Sequence, residues 1–69
     1  MNTNPDAEIK LYRQMVESNS EKAIAAAENA VTYMQRGWWG SAEIALADAE
    51  RYRKAADAAA ANLYAVENL

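Results

Sequence analysis

Residues 42–66, AEIALADAERYRKAADAAAANLYAV, carry small or apolar side chains at Ala42, Ala45, Ala49, Tyr52, Ala56, Ala59, Leu63 and Val66. Steps of three and four alternate without a break, the spacing of a helix face that lies along another helix. Alanine fills most of these positions, so the partner backbone must come close. A second seam precedes it at Ile9, Tyr12, Val16, Asn19, Ala23, Ala26, Ala30 and Tyr33. The two are separated by Arg36-Gly37-Trp38-Trp39-Gly40-Ser41, in which Gly37 can close one helix and Ser41 can cap the next.

The pattern predicts an all-α protein: an antiparallel hairpin of two long helices joined by the Gly-Trp-Trp-Gly turn, assembling into a helical bundle. Residues 1–69 read as one domain, with a helix over 5–36, a turn over 37–40 and a helix over 41–67. The start of the first helix is marked by Asn4 as cap, Pro5 at the first helical position and Asp6 near the positive helix end. Ser18 and Glu21 have capping-box spacing, which would break this helix. The seam keeps its phase across them, so one continuous helix is expected. Folding at the turn sets Ala30 against Ala45 and Ala49, Ala23 against Tyr52 and Ala56, and Val16 against Ala59 and Leu63. Lys10 and Arg13 then fall opposite Glu67. Asn19 is the polar seam position, and it reads either as a register-fixing amide or as a helix break or exposed amide.

Composition narrows the function. The chain has 69 residues, a net charge of −3, and neither cysteine nor histidine. Disulfides and thiolate or imidazole metal sites are therefore excluded. No cofactor is expected. The acidic balance argues against nucleic acid as a partner, which needs a basic surface. No run approaches the ~20 apolar residues of a membrane span, and the N-terminus lacks signal-peptide character, so a cytoplasmic location is expected. Ser18, Ser20 and Ser41 sit where caps sit, and Glu17, Glu21 and Glu28 have no Glu-x-x-His partner. No base and nucleophile converge, and the chain reads as a non-enzyme.

What remains is surplus apolar surface. Ile24, Ala27, Val31 and Met34 form a stripe rotated off the seam, Leu46 falls on the same side, and Trp38 or Trp39 can cap it from the turn. Leu11 and Met15, with Ala58 and Ala65, fall on the other side at the open end. Small scaffolds commonly hide such surface by oligomerisation. The expected partner is the chain itself, through Ile24, Val31, Met34, Trp38, Trp39 and Leu46, together with another protein. The expected role is macromolecular binding, as in the small regulators or inhibitors that phages and mobile elements encode. The alternative is a small-ligand binder that holds a nucleotide-like anion between subunits, using Arg36, Trp38, Trp39 and Ser41. Arg51, Arg53 and Lys54 form the basic cluster, flanked by Glu43, Asp48, Glu50 and Asp57, with Glu50 and Lys54 at ion-pair spacing. It reads as a solvated, salt-bridged face.

Residues 23–54 also resemble one hairpin of the tetratricopeptide family. Ala30, Tyr33, Gly37, Trp39, Ala42, Leu46 and Ala49 fall at that family's small, aromatic and turn positions. Ala26 and Asn29 stand where larger apolar residues are usual, Lys54 replaces the closing proline, and no second repeat follows. The resemblance implies a tight two-helix unit, and nothing about a ligand.

Overall fold

The computed structural model describes residues 5–68. Two helices, α1 over Pro5–Gln35 and α2 over Trp39–Glu67, lie antiparallel as a hairpin. Pro5 opens α1 and Asp6 and Glu8 occupy its first turn, where acids favour the positive helix end. The expected cap Asn4 lies outside the described residues. α1 runs unbroken through Ser18–Glu21. The Asn19 Nδ2 donates to the Met15 carbonyl at 2.9 Å, so this amide turns back on its own helix.

The turn is closed by backbone geometry. Gly37 adopts φ 76°, the left-handed region that glycine enters at least cost. The Gly37 N–H donates to the Met34 carbonyl at 3.0 Å and the Trp38 N–H to the Tyr33 carbonyl at 2.8 Å. These two bonds make a Schellman motif. Its usual apolar contact is present as well, because the Trp38 ring sits 6.1 Å from the Tyr33 ring. α2 therefore starts at Trp39, three residues earlier than a Ser41 cap would place it and two before the expected start at 41. Trp38 occupies the capping position without a side-chain cap bond. The first helical bond is donated by the Ala42 N–H to the Trp38 carbonyl at 2.9 Å.

Both seams face inward. Among the described residues, the buried ones are Ala26, Ala30, Ala42, Ala45, Ala56 and Ala59, with Ala30 at 0% exposure, and no large side chain is fully buried. Ile9, Tyr12, Val16, Ala23, Tyr33, Ala49, Tyr52, Leu63 and Val66 are half-buried. Side-chain contacts fix the register. Arg13 pairs with Glu67 at 3.1 Å, and Lys22 lies 5.7 Å from the centre of the Tyr52 ring.

The outcome is a rod. Its extents are 55 × 18 × 13 Å and its radius of gyration is 15.8 Å, against about 11 Å for a compact domain of this length. Its accessible surface is 5186 Å², against roughly 4,300 Å² for a compact monomer of this mass. A two-helix layer has an inside only one seam wide. Among the described residues, no helix is long and apolar enough to cross a membrane.

Candidate functional site

The seam divides the hairpin surface into two broad flanks. The Arg13–Glu67 pair ties the α1 and α2 halves of the first flank together. The second flank is marked by a groove of about 240 Å³ between the helices, lined by Ala26, Asn29, Tyr33, Ser41, Ile44, Ala45 and Asp48. Seven-residue steps then assign the other side chains. From Arg13 and Glu17 they lead to Ile24, Val31 and Met34. From Glu67 they lead back through Arg53 to Leu46 and Trp39.

Five of the six residues expected at an interface share the first flank by this register. Ile24 is 59% exposed, Val31 52% and Leu46 47%. Trp39 extends the stripe to the turn and is 64% exposed. Met34 lies nearest the seam and is half-buried, so it contributes less free surface than its place in the stripe implies. Trp38 stands apart. It continues the seam, covers Tyr33, and carries the Arg36 guanidinium 5.2 Å from its ring centre.

That geometry also disperses the second expected group. Arg36 and Trp38 are together. Trp39 and Ser41 are two residues apart on one helix, hence about 200° round its axis, and they face opposite flanks. Ser41 lines the groove of the second flank beside Asp48. The Arg36 cation and one face of Trp38 are already engaged with each other.

The basic cluster is largely answered by neighbouring acids. Arg53 bonds Glu50 through its Nε at 3.0 Å and Asp57 through Nη1 at 2.6 Å. Arg51 pairs with Asp48 at 3.2 Å and also lies 5.4 Å from the Tyr52 ring centre. Glu50 thus takes Arg53 rather than Lys54 as its direct partner. The hydrogen bond from Arg53 holds the Glu50 carboxyl below its ordinary pKa, and the same contact raises that of Arg53.

Two exposed apolar residues stand outside the expected set. Ile44 is 68% exposed beside the groove, and Tyr64 is exposed near the open end of the first flank. Leu11 and Met15 are exposed as expected. The signal for Ile44 was in its position, two residues past a seam alanine and in phase with Arg51 and Ala58. Among the described residues, no group of three or more acids is placed to hold a metal ion. No family model, curated protein or solved structure matches the chain.

Proposed function

We propose that this protein is a non-enzymatic, self-associating helical hairpin that works by binding another macromolecule, in the manner of a small regulator or inhibitor. One observation carries the reading: among the described residues, the buried core consists of alanines alone. A buried methyl-sized group contributes ~0.8 kcal/mol, whereas a fully buried Leu, Ile or Val contributes about 1.5–3 kcal/mol. Of the side chains able to supply the larger amount, Ile24, Val31, Ile44 and Leu46 lie exposed on the flanks, and Ile9, Val16, Leu63 and Val66 of the seam are only half-buried.

The surface surplus over a compact monomer supports the same reading. It is roughly 900 Å², about what one partner buries in a standard interface. The described helices carry Leu11, Met15, Ile24, Val31, Ile44, Leu46, Trp39 and Tyr64 exposed on both flanks. Exposed apolar surface of this extent marks contact with other chains. The absence of histidine and cysteine removes the commonest catalytic groups, which favours a binding role.

Thermal unfolding across a dilution series tests the proposal. Association in the folded state makes the melting temperature rise with protein concentration. A melting temperature independent of concentration, with full helicity retained, would remove self-association from the account. A rise produced only by added nucleotides would instead assign the turn residues Arg36–Ser41 to a small ligand.

A further inference from the structure

We infer that a phase slip between the two seams locks this hairpin shut, so that two copies do not exchange helices by opening into straight rods. The first seam ends at Tyr33 and the second begins at Ala42, nine residues on. Nine residues turn a helix through about 900°, or two and a half turns. Were residues 36–38 helical, the two seams would lie on opposite faces of one rod. Continuing the first seam at its own spacing gives Gly37, Gly40, Ile44, Ala47, Arg51 and Lys54. A straight helix would therefore set two glycines and two cations where the hairpin sets Ala42, Ala45, Ala49 and Tyr52.

Exchange of arms is a low-cost route to dimers, because a swapped pair repeats the seam contacts of the closed form. Sterically, little in this turn opposes it. Among the described residues only Gly37 takes a positive φ, and a Cβ at Gly37 or Gly40 meets nothing within 4 Å. The chain is already helical up to Gln35 and again from Trp39. The slip of two residues against the seven-residue repeat is what closes the route. In a straight rod, either the alanine seam of α2 faces away from the partner, or Arg51 and Lys54 enter the contact. Both are exposed in the hairpin, and withdrawing their charges from water is costly. The lock acts within one chain and stands apart from the self-association proposed above. Whatever the flanks meet, they meet on a closed hairpin 55 Å long.

Energy transfer between the two ends of one chain tests the lock. The chain has no cysteine, so Arg13→Cys and Glu67→Cys take dyes at chosen sites that the closed form holds together. A trace of labelled chain is diluted into millimolar unlabelled chain of the same sequence, which makes the signal report single chains. Gly37→Ala with Gly40→Ala suits the turn to a helix but keeps the slip, and should retain the high transfer of the wild-type chain. Two alanines inserted after Trp39 in that variant bring the seams into phase. Transfer should then fall to that of ends on the order of 80 Å apart along one rod. Circular dichroism checks that the helices persist. If the substituted chain loses them, the wild-type chain annealed from its unfolded state supplies the closed arm. If the inserted chain loses them, deletion of residues 36–40 restores the same phase and supplies the open arm. Low transfer in a chain that keeps the slip, or high transfer in a helical chain with its seams in phase, overturns the lock.

Discussion

The turn end and the open end of this hairpin are built from the same repeat, yet they are held differently. Near the turn the seam positions Ala26, Ala30, Ala42 and Ala45 are buried, and the chain reversal is closed by two backbone bonds at Gly37 and Trp38. At the open end Tyr12, Val16, Leu63 and Val66 are only half-buried, and the exposed Arg13–Glu67 pair spans the gap. Methyl groups let two backbones approach until nothing else fits between them. Larger side chains need more enclosure than one neighbouring helix gives. A two-helix layer can be dry only where it is small, and its bulky residues stay half-covered by a single neighbour.

Overpacking the turn end should break the contrast most. Ala30→Leu places a larger side chain where exposure is 0%, and should cost about 1–3 kcal/mol in urea unfolding. An unchanged midpoint would mean that the alanine seam is not in contact. Next comes the reversal itself. A Cβ at Gly37 meets nothing within 4 Å, so Gly37→Ala should cost only the left-handed backbone strain, about 1–2 kcal/mol. A neutral result would show that the positive φ is not needed. At the open end, Val16→Ala removes a half-buried side chain and should cost about 1 kcal/mol or less. A loss matching that of Ala30→Leu would erase the distinction between the ends.

The smallest effect is electrostatic and lies between the ends. The folded-state pKa of Glu50 is depressed by its bond to Arg53. Its contribution is therefore complete above the unfolded carboxylate pKa and disappears as pH falls through the lower, folded value. An NMR titration should place the Glu50 midpoint below that of an isolated glutamate, and Arg53→Met should return it. Because the pair is exposed, the accompanying change in stability should be slight. A Glu50 midpoint at the ordinary value would dissolve the Arg53 pairing.

Much of this architecture was legible in the sequence because a seven-residue repeat encodes a geometric fact: which side of a helix each residue occupies. The seam positions, the unbroken passage through Ser18–Glu21 and the pairing of Arg13 with Glu67 all follow from phase alone. Phase does not encode width. It placed Met34 with Ile24 and Val31 without revealing that Met34 is half-covered beside the seam, and it left Ile44 unnoticed although its side was fixed. The turn failed for another reason. Ser41 is a better cap by residue type, but once Gly37 turns left-handed and Trp38 settles on Tyr33, the next residue is already helical. Cap preference by residue type yielded to the Schellman closure and its contact between two rings. The choice of Arg53 over Lys54 by Glu50 reflects reach and fork geometry, which spacing rules treat as equal.

The mass of the full chain in solution tests the central claim most directly. Sedimentation equilibrium at micromolar concentration should return a multiple of 7.6 kDa, with the helices intact and the Ile24–Val31–Leu46 flank covered. A stable, fully helical single chain at that concentration would contradict it, because one seam of buried alanines and half-buried larger side chains would then be holding the fold by itself.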